Sequence, residues 1–178
     1  MHIIIDGYNL IRQSDTLKRH EKFSMEEGRK ALIRFLAVYK RHKGHKLTVV
    51  FDGWESGPAE EERDRQEGID IIYSRRGEKA DDVIKRIVQK TGEEVIVVTS
   101  DRDIADFVSR RGRTAVSSQD FEGVVSKLKI SITGSPRLPV NGYEKDDDEA
   151  ASTGVKKKGP SRRLSRKKKT AMTKIRKL

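Results

Sequence analysis

Residues 3–10 read Ile3-Ile4-Ile5-Asp6-Gly7-Tyr8-Asn9-Leu10, three β-branched side chains running straight into an acidic residue and a glycine. Apolar residues without polar alternation suit a strand covered on both faces of a parallel sheet, which has no solvent side to mark. The same signature recurs at Leu47–Phe51, Ile69–Tyr73 and Val95–Val98, with a weaker fifth run at Arg113–Val116. Between these runs the apolar spacing becomes helical. Ala31, Leu32, Phe35, Leu36 and Tyr39 share one face of a helix predicted over Met25–His42, opened by the capping pair Ser24 and Glu27. Val83, Ile84, Ile87 and Val88 stripe a second helix over Asp81–Lys90. Shorter helices are expected at Ile104–Arg110 and at Phe121–Leu128, the latter capped by Ser118. Strand and helix in alternation imply βαβ units with right-handed crossovers, hence a layered α/β domain.

The Gly53–Gly68 segment is polar and rich in Glu and Arg, and reads as a mobile loop with a short helix at Ala59–Gln66. After Ile132 the periodicity stops, which divides the chain into a folded domain at 1–132 and a basic low-complexity tail at 133–178. Too few apolar residues remain in that tail to offset ordering entropy, so most of it is expected to be disordered. Charge follows the same division. Of the 39 Lys and Arg, twelve fall in 150–178, where there is no acid, leaving 27 basic against 28 acidic residues before it. A neutral body with a cationic arm, dense at Lys156-Lys157-Lys158 and Arg166-Lys167-Lys168-Lys169, suits a polyanionic partner such as RNA. The absence of cysteine excludes disulfides, thiol nucleophiles and cysteine zinc sites. No apolar run approaches the ~20 residues of a membrane span, and no signal peptide precedes the first strand. A soluble cytoplasmic protein without a membrane partner is therefore expected.

In an open α/β sheet, ligands bind beyond the carboxyl ends of the strands. Asp6 ends the first strand, Asp52 the second, and Asp101 and Asp103 follow the fourth, while Asp81 and Asp82 open the helix after the third. Any one of these could be a cap or turn residue. Six on one rim would repel one another unless a cation neutralised them. An all-oxygen donor set suits Mg²⁺ or Mn²⁺. His2, His20, His42 and His45 lack metal-ligand spacing and are expected at the surface. Carboxylate-held Mg²⁺ is a common apparatus for phosphodiester hydrolysis and needs no protein nucleophile.

The first block, with Val49-Val50-Phe51-Asp52-Gly53, Ala80-Asp81-Asp82-Val83-Ile84 and Val97-Val98-Thr99-Ser100-Asp101-Arg102-Asp103, resembles in order and spacing the YacP-like members of the NYN domains, within the PIN-like nucleases. The resemblance covers roughly residues 1–130. It implies a three-layer α/β/α domain around a mainly parallel sheet and a metal-dependent ribonuclease, with RNA engaged with the ribosome as a substrate of some relatives. Carried over by motif, Asp6 and Asp101 are the leading metal ligands, completed by Asp81 or Asp82, with Asp81 favoured as nearer the helix start. Asp103 would be an outer ligand. Asn9 would orient Asp6 or touch phosphate, Ser100 would contact a ligand or cap the next helix, and Asp52 would support the site or merely form a turn.

Arg75, Arg76, Lys79 and Arg102 are candidate phosphate contacts, and Trp54 and Tyr8 could stack on an unpaired base. Three rivals compete. A haloacid-dehalogenase-like phosphatase would need a second Asp where Tyr8 stands. A response-regulator receiver would need a Lys that Arg113–Gln119 does not offer. The third is a catalytically silent PIN-like module that binds RNA or the ribosome, for which four intact acidic blocks have no purpose. If the tail grips phosphates, deleting residues 150–178 should weaken RNA binding and flatten its dependence on salt; unchanged affinity from low to moderate salt would remove the tail from the interface.

Overall fold

The computed structural model describes residues 1–53, 57–133 and 173–174. The chain runs β1 (His2–Asp6), α1 (Gly7–Gln13), α2 (Asp15–Glu21), α3 (Met25–Lys43), β2 (Lys46–Phe51), β3 (Glu62–Gln66), β4 (Ile69–Tyr73), α4 (Ala80–Lys90), β5 (Val95–Val98), α5 (Arg102–Arg110), β6 (Thr114–Val116) and α6 (Ser118–Thr133). Six strands form one sheet in the order β3-β4-β2-β1-β5-β6. Every pairing is parallel except β3 with β4. The chain lays β2 and β4 on one side of β1, then crosses to lay β5 and β6 on the other. The order therefore reverses at β1, and its carboxyl end faces the crevice where such sheets bind ligands.

Alternate residues of the strands feed two cores. On one face Ile3, Ile5, Val49, Phe51, Ile71 and Val98 pack against Leu10 and Ile11 of α1, Leu32 and Leu36 of α3 and Phe121 of α6. On the other face Ile4, Val50, Ile72 and Val97 pack against Val83 and Ile84 of α4 and Ile104 and Val108 of α5. With helices on both faces, no central strand shows a polar side, which is why the sequence runs unbroken in isoleucine and valine. Ser24 accepts from the Glu27 amide at 3.0 Å, as the capping pattern predicts.

Four details depart from the sequence reading. Residues 62–66 form a strand, not a helix or loop; all five side chains are exposed, so pairing with β4, not side-chain burial, imposes the extended form. Residues 7–21 form α1 and α2, which the turn-like Gly7-Tyr8-Asn9 conceals. The cap of α6 is Ser117, whose hydroxyl accepts from the Asp120 amide, and not Ser118. His2 is buried, not a surface residue, with its Nε2 2.8 Å from Thr48 Oγ1, and burial together with the nearby Lys46 charge lowers its pKa. His45 is half-buried against the Tyr39 hydroxyl, while His20 and His42 are exposed as expected.

Gly7 opens α1 where a Cβ would stand 2.5 Å from the Phe51 ring and 3.0 Å from Val49. Gly7→Ala should therefore destabilise the fold by about 1–3 kcal/mol in urea denaturation, the usual cost of overpacking. Gly92→Ala, where a Cβ meets nothing within 4 Å, is the control and should leave the midpoint nearly unmoved.

Candidate active site

Asp6 is the last residue of the central strand and the N-cap of α1, and only 8% of it is exposed. Its Oδ1 accepts from the Asn9 amide at 3.2 Å, and its Oδ2 accepts from the Thr99 hydroxyl at 3.2 Å. Burial, reinforced by the charges of Asp81 and Asp101, raises its pKa to about 6, although both hydrogen bonds favour the ionised form. Thr99 also accepts from the Asp101 amide at 3.1 Å, which ties the ends of β1 and β5 together. Asp101 caps α5, its Oδ1 accepting from the amides of Asp103 and Ile104. Asp81 lies in the first turn of α4, half-buried, with its pKa raised by burial and then by the Asp101 charge.

A cleft of about 1090 Å³ opens beside Asp6, Asp52 and Asp81. Lys79, Arg12, Arg29, Tyr8, Tyr73 and Met25 complete its wall. Arg29 donates to the Tyr8 hydroxyl at 3.3 Å and lies over the Tyr73 ring, while Arg12 lies over the Tyr8 ring. Cations, aromatic faces and carboxylates thus line one cleft, with Glu62 and Asp64 of β3 adding two further acids beside Tyr73. Arg12, Arg29, Tyr73 and Thr99 were not singled out from the sequence. Arg12 sits in a helix the sequence conceals, and Arg29 reads as one more polar residue of an amphipathic helix.

The remaining expected site residues fall as follows. Asp82 and Asp103 are exposed and off the cleft wall, as is Arg102 between two acids. Asn9 serves Asp6 through its backbone; its side-chain oxygen accepts instead from the Ser100 amide at 2.9 Å and the Ser118 hydroxyl at 2.8 Å. Ser100 accepts from the Ser118 amide, so it joins α6 to the β5 end and leaves the helix cap to Asp101. Arg75 is 3.6 Å from Glu78, and Arg76 is exposed; neither lines the cleft. Trp54 and the lysines and arginines at 156–158 and 166–169 lie outside the described residues.

Ser74 was also missed. It is fully buried, accepts from the Gly53 amide at 2.8 Å and donates to the Glu78 carbonyl at 2.6 Å. That one hydroxyl joins the turn holding Asp52 to the approach to Lys79 and Asp81. A Cβ at position 53 would collide with the Ser74 carbonyl, so the Phe-Asp-Gly turn needs its glycine for close approach.

Among the described residues no three His, Asp or Glu side chains close to the spacing of an assembled metal site. The donor chemistry nonetheless fits a hard divalent cation. The charges of Asp81 and Asp101 bear on Asp6 and that of Asp101 on Asp81, and all three offer only oxygen, with lone pairs beyond those used in capping.

The profile of the YacP-like NYN domain family matches residues 3–177, and so runs through the basic segment that the motif blocks leave out. YacP of Bacillus subtilis (strain 168) is 30% identical over 102 residues, covering 56% of this chain and 59% of that protein. The crystal structure of Rae1 (YacP) from Bacillus subtilis is 26% identical with a TM-score of 0.62, covering 75% of this chain and 78% of that one. Its W164L mutant gives 25% identity and the same TM-score, at 75% and 79% coverage.

Because the folded-state pKa of Asp6 lies above its ordinary 3.8, the folded protein holds an extra proton between about pH 4 and about 6. Stability should fall as pH rises through that window and then level off. In metal-free buffer, Asp6→Asn should be more stable than wild type by up to about 3 kcal/mol at neutral pH, with the difference shrinking towards pH 4. Urea denaturation across pH measures this, and a difference independent of pH would dissociate Asp6 from the titration.

Proposed function

The chain belongs to the YacP-like NYN domain family, and from that membership and the cleft we propose a metal-dependent endoribonuclease that hydrolyses RNA phosphodiester bonds. The observation that carries this reading is the buried Asp6 at the switch point of the sheet, tied through the Thr99 hydroxyl to the Asp101 amide, with the charges of Asp81 and Asp101 bearing on it. Three elements bring these acids to one rim, near a cleft that Lys79, Arg12 and Arg29 also line, an arrangement with little structural purpose unless a cation and a phosphate meet in it.

In this reading Asp6, Asp81 and Asp101 hold Mg²⁺ or Mn²⁺, with Asp52 supporting from the neighbouring turn and Asp82 and Asp103 further out. The bound ion supplies Lewis acidity toward a phosphoryl oxygen and lowers the pKa of a coordinated water. The residues of the chain do the rest. The α1 amide and Thr99 fix both oxygens of Asp6, so its orientation is set before substrate arrives. Capping of α5 does the same for Asp101. Lys79, Arg12 and Arg29 bring positive charge to the backbone of a strand whose scissile phosphate approaches the acids. The basic tail adds sequence-independent attraction, and RNA presented by the ribosome is a substrate consistent with it.

The test is cleavage of a pool of single-stranded and structured RNA with Mg²⁺ or Mn²⁺ by wild type, Asp6→Asn and Asp101→Asn. Metal-dependent internal cuts are expected, reduced at least about 100-fold in both variants. Mn²⁺ should also raise the melting temperature of wild type and not of the variants. Cuts that persist in both variants would place the chemistry elsewhere. A wild-type protein that binds RNA but cuts nothing, even with ribosomes present, would favour a silent binding module.

A further inference from the structure

Phe23 and Met25 stand out on the surface: they are the exposed large hydrophobic residues among those described, at 84% and 50% exposure. Both lie at the elbow between α2 and α3, where Phe23 precedes the Ser24 cap and Met25 begins α3. Met25 lines the acidic cleft, as do Arg29 and Arg12. Phe23 is two residues away, at most about 7 Å of extended chain. Before it stand Lys18, Arg19 and Lys22, all exposed and without an ion-pair partner among the described residues. An aromatic ring with such exposure contributes little to folding, and the acids that follow it, Glu26 and Glu27, are paired with Lys30.

We propose that the α2–α3 elbow is the entry platform for single-stranded RNA, with an unpaired base stacked on Phe23 and bordered by Met25, and flanking phosphates on Lys18, Arg19 and Lys22. The strand then passes over Met25 and Arg29 into the cleft. The occupant follows from charge and continuity. The patch combines an uncovered π-face with unpaired cations, the two devices by which proteins hold single strands without reading sequence, and it runs directly into the acidic site. A duplex, with its bases stacked internally, cannot use the ring. The proposal rests on the ribonuclease reading and assigns to that site a preference for unpaired RNA.

The experiment uses the full chain in EDTA, so that binding is read without cleavage. The probe is a short single-stranded RNA carrying one 2-aminopurine, compared with its duplex. Phe23→Ala should weaken single-strand binding about 5- to 100-fold, the range expected for one lost base stack, with the duplex unaffected. It should also abolish 2-aminopurine quenching and leave the salt slope unchanged, and Phe23→Trp should restore both affinity and quenching. The triple Gln variant at 18, 19 and 22 should instead reduce the salt slope by about 2. An unchanged melting temperature in Phe23→Ala separates these effects from misfolding. Wild-type affinity and quenching in Phe23→Ala would overturn the platform. If that variant still cut RNA with a normal KM in Mn²⁺, the nuclease reading would stand alone. RNA binding unchanged but co-sedimentation with ribosomes lost would also overturn it, marking the elbow as a protein-docking surface.

Discussion

The arrangement depends on one costly act, the burial of the Asp6 carboxylate at the end of the central strand. With β2 and β5 on either side and α1 starting directly after it, Asp6 is left only 8% exposed at the edge of the cleft. A charge so placed must be compensated locally. The α1 amide and the Thr99 hydroxyl provide part of that, yet desolvation still dominates and lifts the pKa to about 6. Asp81 and Asp101 add like charge where compensation is already incomplete. The domain alone therefore carries an electrostatic deficit at the switch point, one that a divalent cation would relieve.

Around that deficit, short polar side chains tie the rim together. Thr99 joins β1 to the β5 end, Asn9 joins α1 to the β5–α5 turn and to α6, and Ser74 joins the β2 turn to the approach to α4. Each hydroxyl or amide is shared by two elements, so none moves without disturbing the other. The outer network does the same for the cleft's edge: Arg86 of α4 reaches both Glu78, at 2.5 Å, and Glu61. Rigid placement of carboxylates by such links is what a pre-organised site requires, because geometry fixed in the fold need not be purchased again at each turnover.

What the sequence makes legible is whatever repeats or ends a buried strand. The four strong strands, α3, α4 and the position of Asp6, Asp52 and Asp101 at strand ends are all apparent, because burial on both faces leaves a plain chemical trace. The trace fails where structure is imposed from outside. β3 has five exposed residues and is a strand only because β4 offers it an edge. The start of α1 reads as a turn because Asp6 and Gly7 are common turn residues, and the reason for the glycine, its close approach to Phe51, lies in a distant strand. For the same reason Arg12 and Arg29 were invisible as a pair, since only the packing of α1 and α3 brings both to one cleft. Asn9 and Ser100 carry the right motif, yet the structure spends their side chains on joining elements.

Capping and metal binding are often treated as competing explanations for an acid at a helix start, and in the proposed reading they are compatible. Asp6 and Asp101 each cap a helix, which holds one carboxylate oxygen against the amides of its first turn. The cap consumes one or two of roughly four acceptor positions and holds the rest in a fixed direction. It also brings amide dipoles that favour the ionised form a metal ligand needs. In the proposed reading both roles fall to one side chain, and a bound cation offsets the cost that its burial imposes on the empty fold.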